Sequence, residues 1–175
     1  MLRKVGIKMI EKAQKNDIRE ILAIIDESKL EMDENNNPQW SEENYPECKI
    51  PNDIEKGNLF VYKEKDKIKG FIVIEKDTRE YDDLIENSKK EAFILHRLAI
   101  KKSCQNQGFA SSLFQFAEQK AKKEKIKVLK ADTEKRNLKM NHFFKKLNYI
   151  EKGTFNYDDY PGTYIYYEKE IGEEK

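Results

Sequence analysis

The chain lacks any apolar run of the ~18 residues that a membrane-spanning helix requires. Its basic N-terminus, MLRKVGIKMIEKAQKND, also lacks the sustained apolar core of an export signal. Cysteine is scarce. Cys48 and Cys104 have no paired spacing, which excludes a disulfide framework and a cysteine-rich zinc site. A reducing cytoplasm is the expected setting, with no metal. An excess of one charge is missing too: Lys plus Arg number 34 and Asp plus Glu 33, although charged residues make up 38% of the chain. The balance gives no general case for nucleic acid or an acidic membrane as partner. The basic run Lys120, Lys122, Lys123, Lys125, Lys127 and Lys130 is interrupted by Glu118 and Glu124 and is expected to be scattered over a solvated surface.

What the chain does contain is a dense central stretch, ILHRLAIKKSCQNQGFASSLFQFA, from Ile94 to Ala117. Phe93 to Ile100 is a short apolar run bounded by charges, which predicts a buried strand. Ala110, Leu113, Phe114, Ala117 and Ala121 recur at helical spacing and predict a helix with one apolar face. Between them lies a small polar loop. A helix start leaves its first N–H groups without internal partners, and the helix dipole adds roughly half a positive charge there. Such a loop suits an anion, phosphate above all. With one glycine, Gly108, and no lysine after it, the loop is neither a P-loop nor a dinucleotide fingerprint.

Around this centre the pattern alternates. Val5 to Ala13 reads as a strand with Ile7, Met9 and Glu11 in alternation along it. Asn16 or Asp17 can cap a helix that runs to about Leu30 on Ile18, Ile21, Leu22, Ile25 and Ser28. The segment from Glu31 to Asp53 breaks periodicity and reads as loop, with a helical turn at Ile54 to Lys56. Its two aromatics, Trp40 and Tyr45, either plug the core edge or line an acceptor pocket. Asn58 to Lys63 and Ile68 to Lys76 predict a hairpin, and Gly70 within it a bulge or close backbone approach. Thr78 to Lys90 is polar, with Tyr81, Leu84 and Ile85 as possible anchors. Lys125 to Asp132 reads as a strand and Asn137 to Leu147 as a helix on Met140, Phe143, Phe144 and Leu147. Tyr149 to Phe155 and Tyr164 to Ile171 read as a closing hairpin. The expectation is one domain over residues 1–175, of mixed α/β class.

Two segments carry a resemblance. Gln105-x-x-Gly108-x-Ala110, placed between a strand and a helix, is similar to the pyrophosphate loop of the GCN5-related N-acetyltransferase (GNAT) family. Asn106 stands where that family usually has glycine, and Asn best tolerates a left-handed backbone among other residues. In the C-terminal third, Asp132-Thr133, Asn137, Met140, Phe143, Phe144, Lys145, Lys146, Leu147 and Tyr149 resemble the family's second segment in order and spacing. The resemblance implies a mostly antiparallel central sheet of about seven strands flanked by helices. It implies an acetyl-CoA-dependent N-acetyltransferase acting on a primary amine of a small molecule or peptide, with room for a homodimer. The alternative is a domain that binds acyl-CoA without turnover.

The resemblance further implies which residues do what. The cofactor would be held by Gln105, Asn106, Gln107, Gly108, Phe109, Ala110 and Ser111, with Asn137 and Phe144 along its path. Backbone groups of Leu98, Ala99 and Ile100 would polarise the thioester where the central strand leaves its neighbour. The family's glutamate base aligns with Ile94, which cannot act. His96, two residues on and so on the same face, becomes the candidate base, imidazole titrating ordinarily near ~6.5. Arg97, of opposite parity, reads as a structural charge or an anion contact, and His142 as a surface residue. The family's tyrosine acid aligns with Phe144, which has no proton to give. Tyr149 or a water would have to serve instead, and Tyr149 also reads as a core aromatic.

Overall fold

The computed structural model describes residues 8–37, 39–41, 46–77, 91–158 and 160–172. The expected segment Thr78 to Lys90, Tyr45 and the start of the first strand therefore lie outside the described residues. The elements are β1 (Lys8–Lys12), α1 (Ile18–Glu34), α2 (Ile50–Glu55), β2 (Leu59–Glu64), β3 (Lys67–Asp77), β4 (Ala92–Ile100), α3 (Phe109–Lys123), β5 (Val128–Glu134), α4 (Leu138–Lys146), β6 (Ile150–Phe155) and β7 (Tyr164–Glu170). They build a seven-stranded sheet in the order β1-β2-β3-β4-β5-β7-β6. Every neighbouring pair is antiparallel except β4 and β5. The mixed class and the strand count read from the sequence match this architecture.

Helices cover both faces of the sheet. On one, α3 lays Leu113, Phe114, Ala117 and Ala121 onto Ile72, Ile74, Phe93, Leu95, Leu129 and Ala131. On the other, Ile21, Ile24 and Ile25 of α1 pack on Leu59, Val61, Phe71 and Val73. Each fully buried aliphatic or aromatic side chain contributes about 1.5–3 kcal/mol relative to exposure. The central strands are thus buried on both faces, which is why they read as apolar runs rather than strict alternations, while the edge strand β6 is largely exposed.

Several expectations shift at this level. α1 extends a turn past Leu30, and Pro46 to Glu55 is helical rather than loop, a 3₁₀ turn leading into α2. Asp17 does not cap α1. Its carboxylate accepts the Gln14 N–H at 2.8 Å and lies 2.9 Å from Lys63 Nζ. In β1 the inward side chain is Ile10, while Met9 is exposed. Asn141 of α4 is buried beside Phe144, a polar residue outside the apolar stripe. It is accommodated because Tyr167 Oη donates to its Oδ1 at 2.8 Å and its Nδ2 donates to the Lys135 carbonyl at 3.0 Å.

Two backbone features shape the middle of the sheet. At Gly70 a Cβ would stand 2.8 Å from the Ala99 carbonyl oxygen and 2.4 Å from Ile100 Cδ1, so β3 and β4 approach as closely as only glycine permits. One step further, Val73 faces His96 while Phe71 faces Ala99, so Ile72 opposes both Arg97 and Leu98. Arg97 takes φ +48° inside the strand. This is a β-bulge, and it reverses the alternation. Phe93 and Leu95 face α3 before it; Leu98 and Ile100 face α3 after it. Arg97 consequently turns to α2, on the side of His96, which corrects the opposite parity expected from a regular strand.

Candidate active site

The loop after β4 forms as its composition suggests. Asn106 adopts φ +59° and Gly108 φ +86°, two left-handed residues that turn the chain into α3. The first internal bond of the helix start runs from Ser112 N to the Gly108 carbonyl at 3.0 Å, so the N–H groups of Phe109, Ala110 and Ser111 precede it. A Cβ added at Gly108 would meet nothing within 4 Å, so the loop is open beside this residue. N–H groups at a helix start next to open space make the loop a candidate anion cradle. The Phe109 side chain is not part of the cradle. It is buried against Tyr62, ring centroids 4.9 Å apart, and anchors the helix start.

Gln105 takes a different place from its loop neighbours. Its Nε2 donates to Glu31 Oε2 at 2.6 Å, and Lys139 Nζ donates to Gln105 Oε1 at 2.6 Å and to Glu31 Oε1 at 3.0 Å. The side chain thus ties the loop to the end of α1 and to α4. Burial works to raise the Glu31 carboxyl, but the hydrogen bonds from Gln105 and Lys139 prevail and hold it below the ordinary carboxylate range.

Below the loop the sheet opens. β4 and β5 pair only at Phe93, Ile94 and Leu95, opposite Leu129, Lys130 and Ala131. Beyond Leu95 the edge of β4 that faced β5 has no strand partner, so backbone groups at Leu98 and Ile100 stand at a gap. A cavity of about 260 Å³ passes through it. On the α3 and α4 side it is lined by Ile72, Leu95, Leu98, Phe114, Met140 and Phe144; on the other by Trp40, His96, Asp132, Tyr157, Tyr160 and Tyr164. The bulge at Arg97, just past the last β4–β5 pair, bends β4 where the gap opens. Ala99, by contrast, packs into the α1 core and does not line the gap.

His96 lies at this gap with its side chain 13% exposed and Nε2 3.4 Å from Glu75 Oε2. The hydrogen bond with His96 holds the Glu75 carboxyl below its ordinary range, outweighing burial. Arg97 makes a bidentate pair with Asp53 of α2, both contacts 2.9 Å, and Asp53 is buried. Arg97 is therefore a structural charge that secures the bulge, in line with the first of its two sequence readings.

Asn137 both caps and positions. Its Oδ1 accepts the Met140 N–H at 3.2 Å, the N-cap bond of α4. Its Nδ2 donates to Gln39 Oε1 at 3.0 Å, and Thr133 Oγ1 donates to the same oxygen at 2.9 Å. Asn137→Ala is expected to lower stability by about 1 kcal/mol, a fall of roughly 2–4 °C in melting temperature for a chain of this size. Because Gln39 loses a tether at the cavity wall, activity per folded molecule is expected to fall as well. Thermal melts run beside steady-state kinetics check this; a stability loss with unchanged activity reduces Asn137 to a cap.

At the position of the family tyrosine, Phe144 lies against Tyr167 and Tyr149, centroids 4.9 and 5.6 Å away. Tyr149 does not line the cavity. It is buried in the core with a hydroxyl that has no hydrogen-bond partner among the described residues, and burial pushes its ionisation far up. Of its two sequence readings, the core aromatic is the one the packing supports. His142 is exposed. Trp40 is 8% exposed, packs on the α1 core as the first of its two sequence readings has it, and also lines the cavity. Sequence reasoning missed Gln39, Lys49, Tyr157, Tyr160 and Tyr164. Only the aromatic density around Pro161-Gly162 offered a signal.

A seven-stranded sheet that parts between β4 and β5, with helices on both faces, is the architecture of GNAT acetyltransferase structures. The chain belongs to the acetyltransferase (GNAT) family, whose sequence model matches residues 11–149. A GNAT-family acetyltransferase from Streptococcus agalactiae 2603 is 26% identical, with TM-score 0.82 over 95% of this chain and 96% of that one. One from Listeria monocytogenes 4b F2365 is 19% identical, with TM-score 0.76 over 94% and 95%. The ribosomal-protein-alanine N-acetyltransferase of Brucella melitensis shares the fold at 17% identity and TM-score 0.69, over 93% and 99%. No curated protein sequence matches. None of the described helices is long and apolar enough to cross a membrane.

Proposed function

We propose that the protein transfers an acetyl group from acetyl-CoA to a primary amine. The observation that carries this reading is the cavity at the β4 and β5 gap, lined by residues from both faces of the sheet. A donor can enter from the α3 and α4 side and an acceptor from the other, and the two meet where strand hydrogen bonding is absent.

Each step then has residues assigned to it. The N–H groups of Gln107 to Ser111 hold the pyrophosphate, aided by the positive end of α3. Bound acetyl-CoA supplies the thioester whose acyl carbon takes the attack of the amine. Backbone N–H groups at Leu98 and Ile100 stabilise the charge that develops on the carbonyl oxygen. His96 takes the proton that the attacking ammonium must lose. Phe144, Phe114 and Leu95 give the donor side of the cavity apolar walls. With Phe144 in the family tyrosine's place, water reaching the thiolate from the open cradle protonates it. Cys48 and Cys104, both free, suit a reducing cytosol.

The test is release of free thiol from acetyl-CoA on addition of a panel of primary amines, beside calorimetric titration of acetyl-CoA itself. Binding with amine-dependent release is expected. Tight binding without release for any amine would favour the reading as a non-catalytic acyl-CoA-binding domain.

A further inference from the structure

The acceptor half of the cavity has a charge pattern of its own. Tyr157 is its centre, its ring 5.0 Å from Tyr164 and 5.5 Å from Tyr160, each packed edge to face. Phe155 backs the group at 4.8 Å from Tyr157, and Ile94 of β4 floors it. The Tyr157 hydroxyl donates to Asp132 Oδ1 at 3.3 Å. Asp132 directly follows Ala131, the last residue of β5 paired with β4, so its carboxylate stands where the sheet opens. At the outer end, Lys49 Nζ donates to Tyr160 Oη at 3.1 Å and lies 5.7 Å from the ring centroid.

Asp132 is the one carboxylate among the described residues that line the cavity, and it shares that lining with two cations, Lys49 and Arg97. Arg97 is neutralised by Asp53. Burial, reinforced by Asp132 and Glu134, pushes the ionisation of Tyr164 far up, so this hydroxyl stays neutral and the wall keeps its polarity. An ammonium group is drawn to a carboxylate beside aromatic faces. A second ammonium at the far end of the same molecule would meet Lys49 and be repelled.

We propose, resting on the acetyltransferase reading, that the acceptor is a primary monoamine with an aromatic or similarly flat apolar body. Its ammonium sits on Asp132 beside the gap, its body lies along Tyr157, Tyr160 and Tyr164, and Lys49 discriminates against diamines and polyamines. This assigns Asp132 and the three tyrosines to acceptor binding and Lys49 to specificity.

The experiment compares acetylation of 2-phenylethylamine with that of putrescine, with acetyl-CoA affinity measured calorimetrically for every variant. The parent is expected to favour 2-phenylethylamine in kcat/KM by about tenfold or more, a modest charge discrimination. Asp132→Asn is expected to lower kcat/KM for 2-phenylethylamine by about 10- to 150-fold, the worth of a charge-assisted hydrogen bond, with acetyl-CoA affinity unchanged. Tyr157→Phe keeps the ring and is expected to stay within about tenfold of the parent. Lys49→Glu is expected to narrow the preference against putrescine. Equal or better use of putrescine by the parent, or a fully active Asp132→Asn enzyme, overturns the proposal while leaving the transferase reading intact. Failure of every amine despite acetyl-CoA binding overturns both.

Discussion

Gly108→Trp is expected to abolish detectable acetyl-CoA binding in a protein that still folds. The position is left-handed at φ +86°, and a Cβ there meets nothing within 4 Å, so a large side chain points into open space rather than into the core. Gly108 directly precedes the N–H groups of Phe109, Ala110 and Ser111, to which the pyrophosphate is assigned. An indole at this position blocks the anion and also forces a non-glycine residue into a left-handed conformation, at a cost of about 1–2 kcal/mol. Stability should therefore fall modestly and affinity drastically. A loss of about 100-fold or more in Kd corresponds to about 2.7 kcal/mol, well resolved by titration calorimetry. Unchanged affinity in a folded variant would sink the assignment of this loop to the cofactor.

His96→Ala is expected to slow acetyl transfer by roughly 10²- to 10⁴-fold while acetyl-CoA still binds, the usual worth of a positioned general base. In the parent, the rate should rise with pH as the imidazole loses its proton, since only the neutral ring can accept one. In the variant that dependence should give way to the ionisation of the amine substrate. The same substitution has a second, independent readout through Glu75. The hydrogen bond with His96 holds the Glu75 carboxyl below its ordinary value of 4.5, and a depressed carboxyl stabilises the fold above that value. This contribution is lost as pH falls through the lowered ionisation, so the parent's stability advantage over His96→Ala should shrink in acid. Rates within threefold of the parent would move the proton to another acceptor.

The bulge explains why β4 could be read only in part. Up to His96 the alternation holds, and Ile94 and His96 share a face as a regular strand requires. At Arg97 one extra residue enters opposite Ile72, and every side chain after it changes sides. No local pattern announces this, because Arg97 is neither glycine nor asparagine. Its φ of +48° is sustained by the bidentate pair with Asp53, a residue 44 positions earlier. The tyrosine wall was hidden for a related reason. Tyr157, Tyr160 and Tyr164 belong to the β6 and β7 hairpin, and they reach the cleft because β7 inserts between β5 and β6. Gln39 likewise meets Thr133 and Asn137 across 94 and 98 residues of chain.

By itself, the sequence determined what depends on near neighbours. The left-handed turn at Asn106 and Gly108, the apolar stripe of α3 and the cap at Asn137 follow from side-chain size and backbone freedom within a few residues. These suffice to specify the cradle and the family. Tertiary structure alone decided the cavity and its lining. The parting of β4 from β5, the turning of Arg97 toward Asp53 and the meeting of Asp132 with Tyr157 depend on contacts between elements far apart in the chain. The energy of such contacts comes from burial and pairing that no short window contains.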